Sequence, residues 1–369
     1  MPKQAKRVLM QGNEALAQGA IDAGCRHFFG YPITPQNRIG DYMAERMPKI
    51  GGVFLQAESE LAAANMVYGA AAAGARAMTA SSSPGISLKQ EAISYMAECE
   101  LPAVIANIAR GGSGLGNIAA AGSDYFQTVK GGGHGDYRTI ALAPWSVQEM
   151  YDLARLAFDL ADTYRTPVII LADAILGLMM EPLTMAQPPV DPAGLPPKPW
   201  TTTGAKGRPK NIINSLYIVP EVLEQVNLRI QARHDEAARK EVRWQEIDLE
   251  QAELAIVAFG TAARVCKTAI ERAAEKGLRV GMLRPITLWP YPYQAVRRLA
   301  KRVNCILVVE LSLGQMVEDV RLAVEGRCPV HFLGRSGGVI PTPAEVAAEL
   351  ERLVGEAHHD FDRSQAAAG

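Results

Sequence analysis

The hydrophobic positions of this chain alternate between two spacings. Segments with an apolar residue every three or four positions, typical of amphipathic helices, are separated by short apolar runs typical of buried strands. Strands with continuous apolar runs and helices between them indicate parallel sheets covered on both faces. In the first half, the predicted strands are 26–30, 52–56, 76–80, 102–109 and 167–173, and the predicted helices are 12–23, 35–47, 59–74, 85–97 and 146–164.

A proline-rich stretch interrupts this alternation. Six prolines lie between positions 188 and 199, which favours a stiff, extended connection, and a charged helical segment follows at 220–243. The alternation then starts again, with strands at 254–259, 279–283, 305–309 and 330–333 and helices at 262–276, 293–302, 314–325 and 343–354. We therefore predict an α/β protein with two doubly wound domains, divided into a first domain at 1–185, a connection at 186–250, a second domain at 251–356 and a polar tail at 357–369.

Composition narrows the class of protein. The length of 369 residues exceeds the size at which one core usually stops growing, which agrees with two domains. Basic and acidic residues nearly balance, at 38 and 39, and no long basic run is present, so a nucleic-acid partner is not expected. No apolar window approaches the length of a membrane span, so no membrane association is expected either.

The cysteines exclude a metal centre built by this chain alone. The five cysteines are scattered, without any C-x-x-C pair, so neither a zinc site nor an iron–sulfur cluster can be assembled from them. An odd number of dispersed thiols suits the reducing cytoplasm, and each thiol is interpreted as a small buried hydrophobe. The cysteines are Cys25, Cys99, Cys266, Cys305 and Cys328.

Unusual residues follow the strands of the first domain. Ligands of open parallel sheets bind at the carboxyl ends of the strands, and a long glycine-rich loop at 111–135 adds to the residues available there. If these strands are neighbours, a hydroxyl, a carboxylate, a serine-rich turn and a guanidinium converge on one edge. The segments that follow the strands are Tyr31-Pro32-Ile33-Thr34-Pro35, Glu58-Ser59-Glu60, Ser81-Ser82-Ser83-Pro84-Gly85 and Arg110-Gly111-Gly112.

Together with two later motifs, these segments carry a family resemblance. The later motifs are Lys130 to Tyr137, which reads Lys-Gly-Gly-Gly-His-Gly-Asp-Tyr, and Leu283 to Pro292, which reads Leu-Arg-Pro-Ile-Thr-Leu-Trp-Pro-Tyr-Pro. Over nearly its whole length, the chain resembles the subunit of 2-oxoacid:ferredoxin oxidoreductases that binds the aminopyrimidine ring of thiamine diphosphate. It is most similar to the α subunits of the branched-chain type, which act on 3-methyl-2-oxobutanoate. The resemblance implies a pyrimidine-type thiamine diphosphate-binding domain followed by a transketolase C-terminal-like domain.

The resemblance implies a catalytic role for Glu60. In the family, a carboxylate on N1′ of the pyrimidine favours the imino tautomer, which removes the C2 proton of the thiazolium, and Glu60 matches that carboxylate. The structural alternative is an exposed glutamate that offsets the helix dipole in the first turn, a role that Glu58 fits better. Ser82, Gly85 and His134 are the further residues that we expect at the cofactor, although a lone histidine is more often structural.

The resemblance also implies a substrate site. The arginine that matches Arg110, with the hydroxyl that matches Thr34, holds the carboxylate of the 2-oxoacid, a natural use of a planar, permanently charged fork. Tyr31, Pro32 and Ile33 complete this predicted site. A surface ion pair is the alternative for Arg110. Thr34 is equally a good N-cap for a helix that begins at Pro35, and one hydroxyl cannot fully satisfy both roles.

Other parts of the enzyme must come from other chains. The Gly-Asp-Gly and later Asn that ligate the magnesium of the diphosphate are missing, because Gly135-Asp136 is followed by Tyr137. The resemblance therefore implies a β subunit for the diphosphate and Mg²⁺, γ and ferredoxin-like subunits with iron–sulfur clusters, and coenzyme A handled largely by other domains. The implied reaction converts a 2-oxoacid, coenzyme A and oxidised ferredoxin into acyl-coenzyme A, carbon dioxide and reduced ferredoxin.

Three alternatives stay open at this point. The same reaction on 2-oxoglutarate would need a cation for the distal carboxylate, for which Lys130, Arg38 and His134 are candidates, and pyruvate or an aryl pyruvate is a further substrate choice. The chain could instead be a non-catalytic scaffold subunit. A dinucleotide-binding module is disfavoured, because position 117 is Asn and the Gly-x-Gly-x-x-Gly pattern that starts at Gly112 fails.

Overall fold

The computed structural model describes the backbone of residues 6–368 and the side chains of residues 7–355. The strands are β1 (Lys6–Gln11), β2 (His27–Gly30), β3 (Val53–Gln56), β4 (Ala77–Ser81), β5 (Ala103–Ala109), β6 (Ile140–Leu142), β7 (Pro167–Asp173), β8 (Met180–Met185), β9 (Trp244–Ile247), β10 (Leu254–Val257), β11 (Val280–Pro285), β12 (Thr287–Trp289), β13 (Cys305–Glu310) and β14 (Val330–Gly334). The helices are α1 (Gly12–Asp22), α2 (Asn37–Arg46), α3 (Glu60–Ala72), α4 (Pro84–Glu98), α5 (Tyr125–Val129), α6 (Val147–Tyr164), α7 (Ala174–Leu178), α8 (Pro220–Lys240), α9 (Gly260–Glu275), α10 (Tyr293–Leu299), α11 (Met316–Val324) and α12 (Pro343–Ala368).

Two larger sheets organise the chain. The first has the order β12-β6-β7-β5-β4-β2-β3 and is parallel apart from β12, which runs antiparallel to β6. The second has the order β14-β13-β10-β11-β9 and is parallel apart from β9. Every residue of β5 and β7 is buried, as expected for strands covered on both faces. The predicted class, two doubly wound α/β domains, is confirmed.

Separate apolar clusters cover the two faces of the first sheet. On one face, α1 and α6 pack side by side over buried residues such as Leu16 and Met150. On the other, α3 and α4 pack together over residues such as Val67 and Ile93. Since α3 and α4 each begin directly after the carboxyl end of a strand, their first turns lie at that edge of the sheet.

All nine predicted strands are present, within a few residues of their predicted ends. The elements that the pattern missed are mostly short or lie at sheet edges. These are β6, β9 and β12, the antiparallel pair of β1 and β8, and the helices α5 and α7. Helix α5 lies inside the predicted loop at 111–135, and α12 continues to Ala368 through the predicted tail. Strand β12 belongs to the predicted second domain by its position in the sequence but pairs with β6 of the first sheet. The predicted domain boundaries stay a prediction.

The predicted capping of α2 by Thr34 is wrong. The helix begins at Asn37 rather than at Pro35, and its N-cap position is Gln36. A turn precedes the helix, in which the main-chain N–H of Gln36 donates to the carbonyl oxygen of Ile33. Thr34 therefore lies one turn too early to accept a hydrogen bond from the free N–H groups of the helix. Its hydroxyl accepts instead from the side-chain amide of Asn37, at 3.3 Å.

A buried aspartate of α11 holds a segment of the predicted loop at 111–135 in place. Asp319, on α11, accepts hydrogen bonds from the hydroxyls of Tyr125 and Tyr293 at 2.7 and 2.6 Å. It also forms an ion pair with Lys130 at 2.7 Å. These contacts fix residues 125–130 against the second domain. Across the residues described, no helix is both long and apolar enough to cross a membrane.

Candidate active site

The predicted convergence of strand ends is present in the structure. Strands β3, β2, β4 and β5 lie next to one another in that order and run parallel. The chain goes from β2 outward to β3 and then returns to the other side of β2, where β4 and β5 follow. Such a reversal of strand order opens a crevice at the carboxyl edge between β2 and β4, which is where open α/β sheets bind ligands.

Glu60 is held at this edge by the start of α3. Ser59 caps the helix, with its hydroxyl accepting from the N–H of Ala62 at 3.1 Å, and Glu60 is the first helical residue. Its side chain is buried, with 6% of the residue exposed, whereas Glu58 is exposed. Glu60 is therefore not the exposed first-turn glutamate that the structural alternative requires.

The carboxylate of Glu60 reaches the first turn of α4. A Cβ atom built on Gly85 would lie 2.6 Å from Glu60 Oε1 and 2.1 Å from Ser81 Oγ, closer than any side chain tolerates. Only glycine can therefore occupy position 85 without displacing the carboxylate. Gly85 thus brings the predicted acid, the end of β4 and the start of α4 into direct contact.

Two hydroxyls of the serine-rich turn, one of them beside this carboxylate, have no hydrogen-bond partner among the described residues. Ser81 and Ser82 are fully buried, and the Oγ atoms of both are unpaired. Buried polar atoms nearly always have partners in folded proteins, so two unpaired hydroxyls side by side are typical of a ligand site. Ser82 was predicted at the cofactor and Ser81 was not, because the sequence does not show which serine of the turn lies beside Glu60.

The third serine of the turn has a different role. Ser83 has a φ of 24°, an unusual conformation for a residue with a side chain. Its hydroxyl donates to Asp124 at 2.7 Å and accepts from the main-chain N–H of Arg110 at 3.0 Å. Asn107 accepts from the N–H of Ser83 and donates to Asp124 at 2.8 Å. This network joins the serine turn to the end of β5.

The half-buried carboxyl of Asp124 is the acceptor that both sides of this network share. Burial raises the pKa of Asp124, and the hydrogen bonds from Ser83 and Asn107 oppose that rise. Sequence reasoning gave Ser83 no separate role within the serine-rich turn. It missed Asn107 and Asp124, which lie far from that turn along the chain and match no local motif.

Arg110 lies at the end of β5 with 9% of its surface exposed. Its guanidinium donates from Nη1 to the carbonyl oxygen of Thr34, at 3.0 Å, and from Nη2 to that of Leu115, at 3.1 Å. Its Nε is buried without a partner. Since both acceptors are neutral carbonyls rather than a carboxylate, the surface ion pair considered above is not present, and the charge of Arg110 is available to an anion.

The segment that follows β2 lies beside Arg110. Tyr31 and Pro32 are exposed, and Ile33 and Thr34 are half-buried. Because Thr34 does not cap α2, its hydroxyl makes only the long contact with Asn37. The structure therefore brings the predicted substrate residues together at one end of the crevice.

His134 does not lie in this crevice. It is exposed, with Nδ1 at 3.5 Å from the hydroxyl of Ser94 and its ring edge-on to Tyr95 at 5.9 Å. Ser94 is nine residues after Gly85 on α4, a distance of about 14 Å along the helix. The structure thus places His134 beside Ser94 and Tyr95, far along α4 from the first turn that contacts Glu60.

Comparison with known proteins gives a consistent result. The family described as "Pyruvate flavodoxin/ferredoxin oxidoreductase, thiamine diP-bdg" matches residues 18–243, and "Pyruvate:ferredoxin oxidoreductase core domain II" matches residues 252–346. The ketoisovalerate oxidoreductase subunit VorB of Methanothermobacter marburgensis is 47% identical over 350 residues, which cover 95% of this chain and 99% of that protein.

Two more distant relatives extend the comparison. The 2-oxoglutarate synthase subunit KorA of Methanothermobacter thermautotrophicus is 37% identical, over 91% of this chain and 96% of that protein. Among solved structures, the 2-oxoglutarate:ferredoxin oxidoreductase of Magnetococcus marinus, with 2-oxoglutarate, coenzyme A and succinyl-CoA bound, matches with a TM-score of 0.79 and 25% identity. That match covers 94% of this chain and 65% of the other chain.

Proposed function

We propose that this chain is the α subunit of its enzyme and that it carries the catalytic Glu60. The chain belongs to the pyruvate flavodoxin/ferredoxin oxidoreductase family, as a subunit of an enzyme that decarboxylates 2-oxoacids oxidatively. The observation that supports this best is the buried Glu60 carboxylate, packed against Gly85 beside the unpaired hydroxyl of Ser81. The reaction would convert a 2-oxoacid and coenzyme A into acyl-coenzyme A and carbon dioxide, with two electrons passing to ferredoxin.

The residues of the crevice fit the aminopyrimidine end of thiamine diphosphate. The hydroxyls of Ser81 and Ser82 are unpaired hydrogen-bonding groups, and Gly85 leaves room for a flat ring to approach the helix. The carboxylate of Glu60 would meet the ring nitrogen. When bound, thiamine diphosphate supplies the carbon nucleophile and the electron sink that decarboxylation of a 2-oxoacid requires.

The side chains of this subunit would then bind and orient the cofactor and the substrate, and would move one proton. Glu60 would exchange a proton at its carboxylate with the ring nitrogen, in a site where burial strengthens the interaction. Arg110 would hold the carboxylate of the 2-oxoacid through the unpaired Nε side of its guanidinium. The hydroxyl of Thr34, next to the carbonyl that Arg110 already contacts, would add a second hydrogen bond.

We propose a branched-chain 2-oxoacid, 3-methyl-2-oxobutanoate, as the substrate. Identity is higher to the ketoisovalerate oxidoreductase subunit, at 47%, than to the 2-oxoglutarate synthase subunit, at 37%. Two of the three groups considered for a distal carboxylate are engaged elsewhere: Lys130 pairs with Asp319, and Arg38 lies 3.3 Å from Glu14. The third, His134, lies beside Ser94. Leu115, whose main-chain carbonyl accepts from Arg110, adds a largely exposed apolar residue to this end of the crevice. 2-Oxoglutarate stays the second candidate, with pyruvate and aryl pyruvates after it.

We propose that the remaining cofactors lie on partner subunits in the cytoplasm. Since Gly135-Asp136 is followed by Tyr137, the diphosphate and its Mg²⁺ are assigned to a β subunit. The described residues contain no group of three or more His, Cys, Asp or Glu side chains able to hold a metal. The iron–sulfur clusters are accordingly assigned to γ and ferredoxin-like subunits. Coenzyme A would bind largely on other domains.

A pair of matched glutamates tests this function. Glu60→Gln keeps the size and loses the charge, so turnover of the assembled complex should fall by about 100-fold or more, the range typical of a lost proton-transfer group. Glu58→Gln removes the exposed glutamate two positions earlier and should leave turnover unchanged. Size-exclusion chromatography would check that both variants assemble. Full activity of Glu60→Gln would favour the scaffold alternative instead.

A further inference from the structure

The glycine-rich loop carries one of the two carbonyl oxygens that hold Arg110. Residues 112–119 of this loop are all exposed, so little packing fixes their position. The carbonyl oxygen of Leu115, in the middle of this stretch, nevertheless accepts from Nη2 of Arg110 at 3.1 Å. The direction of the guanidinium therefore depends on the contacts that hold this exposed stretch in place.

Asn117 closes the turn that carries Leu115. Its main-chain N–H donates to the carbonyl oxygen of Gly111 at 2.9 Å, and its Oδ1 accepts from the N–H of Ala119 at 2.9 Å. The side chain lies directly against Gly111, where an added Cβ atom would be 2.6 Å from Oδ1. Asn117 thus holds Leu115 within a closed turn that begins at the residue after Arg110.

The same side chain connects this turn to the second domain. Nδ2 of Asn117 donates to the carbonyl oxygen of Gly337 at 2.6 Å. The next residue, Gly338, has a φ of 91°, and a Cβ atom built on it would lie 2.5 Å from the Cβ of Ala119. The loop and these two glycines are therefore in close contact, which requires a glycine at position 338.

Other contacts with the second domain hold the part of the loop that follows the turn. The N–H of Gly122 donates to the carbonyl oxygen of Leu311 at 2.8 Å, and Nε2 of Gln315 donates to that of Ser123 at 2.7 Å. These hydrogen bonds fix residues 122 and 123. Asn117 holds the earlier stretch, in which the acceptor of Arg110 lies.

A purely local role in the turn is the structural alternative for Asn117. Asparagine is common in turns, because its side chain bonds to the main chain two residues later. The bond between Oδ1 and the N–H of Ala119 is of this kind. The bond from Nδ2 to Gly337 is not part of the turn, since it joins the turn to a distant segment.

We propose that Asn117 is a positioning residue that holds the turn of Leu115 against the second domain and so keeps Arg110 directed at the carboxylate of the 2-oxoacid. This inference rests on the proposed role of Arg110. With the turn held, Nη2 has a fixed acceptor, and the guanidinium is preorganised for the carboxylate. With the turn released, the guanidinium must be ordered when the substrate binds, which weakens binding. Since the carboxylate is held equally before and during the reaction, KM should rise while kcat is retained.

Two substitutions release the turn from opposite sides. Asn117→Ala removes the side-chain hydrogen bonds, and Gly338→Ala places a methyl group 2.5 Å from the Cβ of Ala119, so that the two segments must separate. In the assembled complex, KM for 3-methyl-2-oxobutanoate should rise about fivefold in both variants, the effect of one hydrogen bond, with kcat changed by less than about twofold. Hydrogen–deuterium exchange without substrate should be about fivefold faster in residues 111–119.

Matched controls exist for both substitutions. Asn214 lies in the connection between the domains, and its side chain donates to and accepts from the main chain of Leu216, as in an asparagine turn. Gly277 has a φ of 78°, so alanine strains its backbone as at Gly338, but its added Cβ meets nothing within 4 Å among the described residues. Asn214→Ala and Gly277→Ala should change neither KM nor the exchange of residues 111–119.

The outcomes distinguish this inference from the proposed function. An unchanged KM in Asn117→Ala overturns the inference, even if exchange becomes faster, and the proposed function stands if Arg110→Lys raises KM. A raised KM in Asn117→Ala with an unchanged KM in Gly338→Ala confines Asn117 to its local turn and overturns the part of the second domain. An unchanged KM in Arg110→Lys would instead overturn the proposed role of Arg110, and full activity of Glu60→Gln the proposed function.

Discussion

The chemistry of this subunit depends on a few side chains whose partners differ from what their positions in the sequence suggest. Thr34 resembles a helix cap but caps nothing, and Arg110 resembles a surface charge but is buried against two carbonyl oxygens. Both groups are consequently available to a ligand. Glu60 is likewise buried although it occupies the first turn of a helix, where glutamates are usually exposed.

At the residue scale, we predict that Arg110→Lys weakens substrate binding more than it slows turnover. Lysine keeps the positive charge but lacks the planar fork that can contact Thr34, Leu115 and a carboxylate together. Steady-state kinetics should show KM for the 2-oxoacid rising about tenfold or more. Arg38→Lys, at an exposed position on α2, is the control and should leave KM unchanged. An unaltered KM in Arg110→Lys would contradict the assignment.

At the scale of elements, the site depends on how closely two helix starts approach each other. The first turns of α3 and α4 meet at Gly85, and the hydrogen bond from Lys89 joins the two helices one turn further along. The serine-rich turn before α4 is held in place by Ser83, which forms hydrogen bonds with Asn107, Arg110 and Asp124. The positions of these helices, rather than of one loop, therefore determine the geometry of the site.

We predict that Gly85→Ala abolishes most activity. The added methyl group would lie within 2.1 Å of Ser81 Oγ and 2.6 Å of Glu60 Oε1, so the carboxylate must move. Gly69→Ala on α3 is the matched control, because its added Cβ meets nothing within 4 Å and alanine stabilises a helix interior by about 0.5–1 kcal/mol. Turnover and thermal unfolding of both complexes would be measured. Equal activity of Gly85→Ala and the native complex would show that Glu60 need not keep this position.

At the scale of the whole molecule, a shared strand and a group of hydrogen bonds connect the parts of the chain that form the two larger sheets. Strand β12 of the later segment extends the first sheet, and Asp319 of α11 binds residues on both sides of the junction. The segment from α5 to Lys130 is thereby fixed, together with Asp124, which directly precedes α5 and accepts from Ser83. The second domain thus supports the site without contributing a proposed catalytic group.

We predict that Asp319→Asn loosens this junction locally. The variant loses the charge that receives two tyrosine hydroxyls and Lys130, an effect of about 2 kcal/mol. Hydrogen–deuterium exchange of the complex should then be about tenfold or more faster in residues 125–130 and in α11. Glu318→Gln, at the exposed neighbouring position, should not change exchange. Unchanged protection in Asp319→Asn would mean that other contacts hold the junction.

We also predict the order of substrates for the complete complex. With Lys130 and Arg38 engaged in ion pairs and Leu115 beside Arg110, 3-methyl-2-oxobutanoate should be turned over with a higher kcat/KM than 2-oxoglutarate, pyruvate or an aryl pyruvate. Ferredoxin reduction with each substrate would measure this. An equal or higher value for 2-oxoglutarate would overturn the branched-chain assignment.

The sequence by itself determined the alternation of strands and helices, the capped start of α3 and the residues at the strand ends. These features depend on hydrogen bonds and apolar spacing within a few residues, which local patterns record. Tertiary structure decided where α2 begins, which serine lies beside Glu60, that His134 contacts Ser94, and that Lys89 is buried against Glu60. Each of these depends on contacts between distant segments, and no local pattern along the chain specifies which distant segments will meet.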